Sequence, residues 1–371
     1  MMKVKMAYLD RLYLENKTIL DQAWYQTTES GRFIGGQTVK KFEEELSNYL
    51  GVNHVITCAN GTDALLASLM ALDIGPGDEV IMPAYGYISA FEMCLLLKAK
   101  PVLVDIDEYF HIDVTLIESK ITAATKAIIV QHLYGQMSDM IELNNISNRH
   151  QIPVIEDSAQ AIGSTLQVHS GQEKYAGTIG DIGTFSFFPT KNLGCFGDGG
   201  AIVTDSEELA QKLRLLCHNG QTTKYHHAII GMNSRLDSLQ AAILSAQLIE
   251  LDPRNHQRIK QAHRYNQAFY DLNLQKPRTR VNATHTYHQY CLLSPQRDQL
   301  KNYLREQGID STVYYPKAIH QQDVAVGYRS ESHPQSELVA EQLLAIPISP
   351  QLRDDEFNHV VDKIIHWTEH E

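Results

Sequence analysis

Short apolar segments alternate with helical patterns over much of the chain, from about residue 37 to residue 204. Apolar residues at helical spacing cover 39–50, for example, and Gly51 is a typical stop for that helix. Strands that alternate with helices form a mostly parallel sheet with helices on both faces. The pattern therefore predicts an α/β fold, with ligands bound at the carboxyl ends of the strands. Predicted strands cover residues 54–58, 79–82, 101–104, 127–130, 153–155, 184–187 and 201–204.

The pattern changes after about residue 250. A long polar helix is predicted over 254–272, followed by shorter strand and helix units and by a last helix over 354–366. A chain of 371 residues is also too long for a single compact core. We therefore predict a large domain over residues 1–250 and a smaller C-terminal α+β domain over residues 251–371.

The composition argues against several classes of protein. A net charge of -12 disfavours nucleic-acid binding, which relies on basic side chains to neutralise phosphates. No segment reaches the ~18 apolar residues of a membrane span, and the N-terminus has no signal-peptide core. The 17 histidines form no HExxH or Cys/His metal pattern, and the five cysteines form no CxxC pair. We therefore expect a cytoplasmic protein with reduced thiols and no metal.

Asp157 and Lys191 stand in two unusual contexts. Asp157 ends an apolar strand, and Lys191 lies between a second apolar run and a glycine-rich segment at 194–200. Pyridoxal 5'-phosphate needs a carboxylate at its ring nitrogen and an amine to hold its aldehyde, and a lysine serves if its pKa is lowered. Alone, each residue is as well explained as a turn acid or a solvated lysine. Together, they predict a pyridoxal phosphate site.

Seven short motifs carry a resemblance to a known family. Asn-Gly-Thr-Asp-Ala-Leu stands at 60–65, Glu-Asp-Ser-Ala-Gln-Ala at 156–161 and Ser-Phe-Phe-Pro-Thr-Lys-Asn-Leu-Gly at 186–194. By these motifs the chain resembles the sugar aminotransferases of the DegT/DnrJ/EryC1/StrS family, which are pyridoxal phosphate enzymes of fold type I. The other matching segments are 76–80, 197–200, 231–242 and 315–316 with His320.

The resemblance implies how the cofactor phosphate is held. Gly61 and Thr62 stand between a strand and a helix, where backbone amides and the helix dipole favour an anion. The family places the phosphate there, with help from a serine that matches Ser186. In relatives an asparagine that matches Asn233 reaches the phosphate from the neighbouring subunit. Without the family context, a capped helix start is the plainer interpretation of Gly61 and Thr62.

Four further residues are expected around the cofactor ring. Asp157 would keep the ring nitrogen protonated, and Gln160 matches a position that contacts the ring hydroxyl. Tyr87 matches an aromatic residue that stacks on the ring, although a single tyrosine on a helix is commonly part of the core. Lys191 would hold the cofactor aldehyde and then serve as the base and acid of proton transfer.

The substrate residues rest on the resemblance alone. Arg235 matches an arginine that reaches the substrate from the neighbouring subunit, so a homodimer with shared active sites is expected. The alternative is that 233–242 is an ordinary amphipathic helix capped by Asn233. Positions close to the sugar nucleotide are matched by Tyr314, Tyr315 and His320, and also by Tyr287 and His288.

Two positions depart from the family pattern. Many relatives carry histidine where this chain has Tyr314, and tyrosine cannot become a cation near neutral pH. The frequent tyrosine three residues before the lysine is Phe188 here, which removes one hydroxyl contact. Arg32 could bind an anionic substrate or be merely solvated.

The resemblance implies an aminotransferase that moves an amino group from L-glutamate to a nucleoside-diphosphate-linked keto sugar, for surface polysaccharides such as O-antigen or for antibiotic sugars. The small Ser234 would leave room for a sugar that presents C3, which favours a dTDP-linked 3-keto-6-deoxyhexose. UDP-linked and 4-keto sugars are the alternatives within the family. Rival functions are an amino-acid aminotransferase and a cofactor-bearing regulator or sugar-binding protein without turnover, which the presence of Lys191 disfavours.

Overall fold

The computed structural model describes residues 2–168, 171–329 and 332–370. Its strands are β1 His54–Cys58, β2 Glu79–Pro83, β3 Lys100–Val104, β4 Thr125–Gln131, β5 Val154–Asp157, β6 Thr165–Gln167, β7 Glu173–Tyr175, β8 Ile182–Ser186, β9 Gly200–Thr204, β10 Gln221–Thr223, β11 His226–His227, β12 Tyr290–Leu293 and β13 Leu343–Ile346. Its helices are α1 Leu9–Glu15, α2 Lys17–Ser30, α3 Gln37–Leu50, α4 Gly61–Ala71, α5 Ser89–Leu96, α6 Val114–Ile117, α7 Met140–His150, α8 Glu207–Cys217, α9 Ser238–Leu248, α10 Leu251–Ala268, α11 Arg297–Glu306, α12 Pro334–Gln342 and α13 Asp354–Glu369.

The central sheet has seven strands within the described residues, in the order β1-β9-β8-β5-β4-β2-β3. The strands from β8 to β3 run parallel to their neighbours, and β9 runs antiparallel to both β8 and β1. The predicted α/β fold with a mostly parallel sheet is therefore confirmed. Each of the strands predicted from the sequence belongs to this sheet, with ends shifted by two residues at most.

Both faces of the sheet are buried. In β2, Val80 and Met82 pack in one apolar cluster with helices α4, α5 and α8, whereas Ile81 packs in another with α7. Successive side chains of a strand point to opposite faces, so a strand covered on both sides must be apolar at nearly every position. This is why short continuous apolar runs identified the strands correctly.

The C-terminal part has a core of its own around the antiparallel pair β12 and β13. Helices α10, α11 and α13 contribute to this core, with Tyr265 fully buried at its centre. Val4 and Tyr8, from the N-terminal segment, belong to the same apolar cluster. The division into domains 1–250 and 251–371 stays a prediction, and these contacts would add the first residues of the chain to the smaller part.

The helix expected over 233–242 begins only at Ser238, as α9, so this prediction was wrong for its first five residues. Over 233–238 exposed and buried residues alternate, with Asn233 and Arg235 exposed and Ser234 fully buried. A period of two is typical of extended chain. Asn233 accordingly pairs with His218 in an isolated antiparallel bridge.

Helices α1 and α2 were not predicted from the sequence. In α2 Leu20 and Thr27 are buried, whereas Trp24 and Tyr25 are exposed. Its apolar residues therefore do not form the single stripe by which an amphipathic helix is recognised. Among the described residues, no helix combines the length and the apolar character needed to cross a membrane.

Candidate active site

A cavity of about 590 Å³ lies at the carboxyl ends of β4, β5 and β8, next to the start of α4. This is the edge at which parallel α/β sheets bind their ligands. Residues 314–315 of the C-terminal part close one side of it. Most of the residues predicted for the site line this cavity, namely Gly61, Thr62, Tyr87, Asp157, Gln160, Ser186, Lys191, Tyr314 and Tyr315.

Lys191 follows β8 and lies in the wall of the cavity. Its backbone N–H donates to the carbonyl oxygen of Phe188 at 2.8 Å, which closes a tight turn. Burial lowers the pKa of the Lys191 amine to about 8, and the charge of Asp157 partly opposes this shift. An amine with such a pKa is partly unprotonated near neutral pH, so it can attack a carbonyl and carry a proton.

Asp157 is the last residue of β5 and is buried. Burial raises the pKa of its carboxyl, while the hydrogen bond from the Ala159 backbone N–H and the charge of Lys191 act in the opposite direction. The N–H of Ala159 lies 3.1 Å from Asp157 Oδ1. A buried carboxylate with so few donors has capacity left for a cationic partner, which would favour its ionised form.

Glu156 precedes Asp157 and points to the other face of β5, where it is fully buried. Its carboxylate accepts hydrogen bonds from the backbone N–H groups of Gly177, Ile179 and Gly180 at 2.9, 2.7 and 2.5 Å. His132 Nε2 lies 2.7 Å from Glu156 Oε2. Burial alone would raise the pKa of Glu156, but these hydrogen bonds outweigh it and lower the pKa. The end of β5, and with it Asp157, is thereby held in place.

The start of α4 forms a cradle for an anion. Asn60 caps the helix, because its Oδ1 accepts the backbone N–H of Asp63 at 2.8 Å. A Cβ atom on Gly61 would lie only 2.9 Å from the Cβ atom of Ser186, so this close approach requires glycine. Gly61, Thr62 and Ser186 line the same part of the wall. A helix N-terminus beside a serine hydroxyl fits a phosphate group.

Gln160 connects the two sides of the cavity. Its Oε1 accepts the backbone N–H of Tyr134 at 2.8 Å, and its Nε2 donates to the Tyr315 hydroxyl at 2.9 Å. The rings of Tyr87 and Tyr315 lie 5.8 Å apart. Tyr87 lies before α5 and not on a helix, and it is 53% exposed. It is therefore free to contact a ligand ring, and its stacking on the cofactor stays a prediction.

Some predicted residues are not brought to this cavity. Asn233 and Arg235 are exposed and do not line it. His320 is buried, and its Nε2 lies 3.1 Å from Glu337 Oε1. Ser234 is fully buried, and its hydroxyl accepts the backbone N–H of Ala59 at 3.1 Å. The idea that Ser234 leaves room for the sugar was therefore wrong, because its side chain supports the loop before α4.

Other cavity residues were missed or only weakly indicated by the sequence. Gln131 ends β4, and its Nε2 donates to the carbonyl oxygen of Tyr87 at 2.8 Å. His132 follows it in the chain and also lines the cavity. His288, which the resemblance matches to a position close to the sugar nucleotide, lines the cavity as well. Gln131 and His132 could have been found, because they end a predicted strand at the same edge as Asp157.

These residues fit pyridoxal phosphate. The site offers a buried carboxylate at Asp157, an amine of lowered pKa at Lys191 and an anion cradle at Gly61 and Ser186. Gln131 Oε1 is buried without a hydrogen-bond partner among the described residues, so the site also has an acceptor to spare. A carboxylate, an amine and a phosphate cradle in one cavity are what this cofactor requires.

Comparison with known proteins identifies the family. The model of the DegT/DnrJ/EryC1/StrS aminotransferase family matches residues 15–365. A pleiotropic regulatory protein of Geobacillus stearothermophilus is 42% identical over 376 residues, with 100% of each chain covered. A UDP-N-acetyl-3-dehydro-alpha-D-glucosamine 3-aminotransferase of Acidithiobacillus ferrooxidans is 42% identical over 338 residues, which cover 91% of this chain and 90% of the relative. A dTDP-3-amino-3,4,6-trideoxy-alpha-D-glucose transaminase of Streptomyces venezuelae is 37% identical, with 97% and 95% covered.

Solved structures agree with the sequence comparison. DesV of S. venezuelae in complex with a ketimine intermediate has a TM-score of 0.96 and 36% identity, and covers 100% of this chain and 99% of its own. NtdA of Bacillus subtilis with the bound cofactor PMP has a TM-score of 0.91 and 34% identity, with 100% and 86% covered. The cofactor is pyridoxal phosphate, which the residues of the cavity fit. The chain belongs to the DegT/DnrJ/EryC1/StrS aminotransferase family.

Proposed function

We propose that this enzyme transfers an amino group from L-glutamate to the keto group of a nucleoside-diphosphate-linked sugar. The observation that carries the proposal is the shared cavity of Lys191, with its lowered pKa, and the buried Asp157. The names of the relatives support the substrate class, since one is the 3-aminotransferase of a UDP-linked sugar and another is the transaminase of a dTDP-linked 3-amino sugar. A dTDP-linked 3-keto-6-deoxyhexose is the first candidate and a UDP-linked 3-keto sugar the second.

The residues of the cavity have different roles in the proposed reaction. When bound, pyridoxal phosphate supplies an electron sink for the carbon that carries the amino group. Lys191 Nζ takes up and returns the proton at that carbon, and a pKa of about 8 suits both directions near neutral pH. The carboxylate of Asp157 would hold the ring nitrogen of the cofactor in its protonated form. Across the cavity from Asp157, the hydrogen bond between Gln160 and Tyr315 holds both side chains in position to orient a bound ligand.

Lys191 also argues for two half-reactions in one site. A single amine of lowered pKa must serve the glutamate and the sugar in turn, because the described residues bring one lysine into the cavity. The two substrates would therefore use the same wall of the site at different times, which is the basis of ping-pong kinetics.

The proposal includes a homodimer with shared active sites. Asn233 and Arg235 are exposed in their own subunit, so both side chains are available to a second copy of the chain. Large apolar residues on the same molecule are exposed as well, among them Phe33, Ile34 and Phe196. Ile34 forms a bridge with Asp237, in the segment that holds Arg235. This continuity supports one contact surface that contains both the apolar residues and the predicted substrate arginine.

A regulator without turnover is the second candidate, because the Geobacillus stearothermophilus relative is named a pleiotropic regulatory protein. A pure binding protein has no need for an amine whose pKa is lowered by burial in the cavity. We therefore place catalysis first. The five buried free thiols are consistent with the reducing cytoplasm, where we propose that the enzyme works on sugars for surface polysaccharides or antibiotics.

A substrate panel tests the proposal. The cofactor-loaded protein is incubated with L-glutamate and with dTDP- or UDP-linked sugars that carry the keto group at C3 or C4. We expect amino-sugar product from a 3-keto substrate, with NMR placing the nitrogen at C3. Nitrogen at C4 as the main product would refute the 3-keto assignment, and no amino sugar from any member would refute the substrate class.

A further inference from the structure

His288 lies in the wall of the cavity, and a chain of hydrogen bonds fixes its ring. Its Nδ1 is 3.1 Å from Oδ1 of Asn192, the residue that follows Lys191. Asn192 Nδ2 donates in turn to Asn255 Oδ1 at 2.8 Å. His288, Asn192 and Asn255 are all buried, so water does not compete for these hydrogen bonds. The ring of His288 is thus tied to helix α10 through the neighbour of the catalytic lysine.

The direction of these hydrogen bonds follows from main-chain carbonyl groups, which can only accept. Asn192 Nδ2 also approaches the carbonyl oxygen of Thr286 at 3.4 Å. Asn255 Nδ2 donates to the carbonyl oxygen of Ile162 at 3.2 Å. Both amides are therefore oriented with their NH₂ groups toward a carbonyl. Asn192 must present its oxygen to His288, so Nδ1 of His288 carries the hydrogen.

The other ring nitrogen keeps its lone pair. Burial lowers the pKa of His288 well below its usual value, and the charge of Lys191 lowers it further, so the ring is neutral. A neutral imidazole carries one hydrogen, here on Nδ1. Nε2 has no hydrogen-bond partner among the residues that the structure describes, and His288 lines the cavity. The cavity wall beside Lys191 therefore contains an acceptor that waits for a donor.

We propose that His288 binds the sugar by accepting, at Nε2, a hydrogen bond from a hydroxyl group next to the reacting carbon. This inference rests on the proposed function, which makes a nucleotide-linked sugar the occupant of the cavity. The reacting carbon of a keto sugar carries no hydroxyl group, but the carbons bonded to it can carry hydroxyl groups that donate hydrogen bonds. A site that pairs with a hydroxyl rejects an analogue without it far more strongly than an apolar pocket does. His288 is thus a specificity-determining residue.

Two replacements separate the two ring nitrogens. The amide of asparagine lies near the position of Nδ1, so His288→Asn keeps a group for Asn192 and has none at Nε2. The longer His288→Gln brings an amide oxygen to the position of Nε2 and gives up the contact with Asn192. A merely structural role would be better preserved by asparagine, whereas a role in substrate binding would be better preserved by glutamine.

We expect the KM for the keto sugar nucleotide to rise about tenfold or more in His288→Asn, and by no more than about threefold in His288→Gln. The kcat should change less than the KM in both variants. Calorimetric titration with the amino-sugar product gives a second readout, and its Kd should follow the same order. Equal losses in both variants, or the reverse order, would overturn the proposal.

Wild-type protein provides a test that does not depend on the folding of either variant. Among nucleotide sugars that each lack one hydroxyl, the analogue without the His288 partner should bind about tenfold more weakly than the parent. In His288→Asn that analogue and the parent should bind alike. If every analogue binds the wild type as the parent does, the assignment is wrong. Absence of any sugar amination by the wild type would instead refute the proposed function itself.

Discussion

Gly61 and Ser186 approach each other so closely that a Cβ atom on Gly61 would lie 2.9 Å from the Cβ atom of Ser186. Cβ atoms in proteins essentially never come that close to an atom to which they are not bonded. The pair joins the first turn of α4 to the last residue of β8, and both residues line the cavity. The anion cradle therefore depends on a glycine at this one position.

Gly61→Ala should weaken cofactor binding about tenfold or more, because the added methyl group displaces Ser186 and opens the cradle. The affinity is measured by titrating cofactor-free protein with pyridoxal phosphate and following its absorbance. Gly75→Ala is the matched control, since a Cβ atom there meets nothing within 4 Å. Equal affinities of the wild type and both variants would show that the phosphate binds elsewhere.

Lys191 should react with amine reagents at an unusually low pH. Burial lowers its pKa to about 8, so in cofactor-free protein its methylation should be half-maximal near that pH. Exposed lysines, with an ordinary pKa of about 10.4, should react at higher pH. Asp157→Asn removes the charge that opposes the shift, so the midpoint for Lys191 should fall further.

Mass spectrometry of the peptide that contains Lys191 measures this midpoint at a series of pH values. Other lysine peptides in the same digest serve as internal controls. A midpoint for Lys191 that coincides with those of exposed lysines would contradict the assignment. A midpoint that rises in Asp157→Asn would show that the two residues do not interact as the cavity geometry implies.

Glu156→Gln should destabilise the protein by about 3 kcal/mol, because the amide loses the charge that three backbone N–H groups and His132 satisfy. Denaturant unfolding of cofactor-free protein measures the change. Glu118→Gln is the control, since the ion pair that Glu118 forms with Arg149 is exposed and contributes little to stability.

The pH dependence of the Glu156→Gln effect follows from the lowered pKa of Glu156. A carboxyl whose pKa is lower in the folded than in the unfolded state stabilises the fold above its unfolded pKa, about 4.3 for glutamate. That contribution disappears as the pH falls through the lower, folded pKa. The difference between the wild type and Glu156→Gln should therefore shrink in acid, and a difference that grows there would refute an ionised Glu156.

Arg235 should act in the active site of the partner subunit. Lys191→Ala and Arg235→Ala homodimers should each be inactive, and mixed dimers should regain part of the activity because one of their two sites has both residues intact. Mixed dimers are purified with two different affinity tags and assayed against each homodimer. No recovery in verified mixed dimers would place Arg235 in its own subunit's site or outside any site.

Most of the fold could be predicted because burial on both faces gives strands such as β2 and β4 a continuous apolar run. Asp157 and Lys191 were recognisable because Asp157 ends an apolar strand and Lys191 lies between an apolar run and a glycine-rich segment. Ser234 was misjudged because the period of two over 233–238 is too short to distinguish from the start of α9. The role proposed for His288 depends on its contact with Asn192, 96 positions away, and on the contact of Asn192 with Asn255, 63 positions away, which no local pattern reveals.

The most direct test follows a labelled nitrogen. Cofactor-loaded wild-type protein and Lys191→Ala are incubated with L-glutamate labelled with ¹⁵N and with a dTDP- or UDP-linked 3-keto sugar, and the nucleotide sugars are analysed by mass spectrometry. We predict one ¹⁵N atom in the amino-sugar product of the wild type and no turnover in Lys191→Ala. Unlabelled nucleotide sugars after incubation with fully loaded wild-type protein, or labelled product at the wild-type rate from Lys191→Ala, would contradict the account.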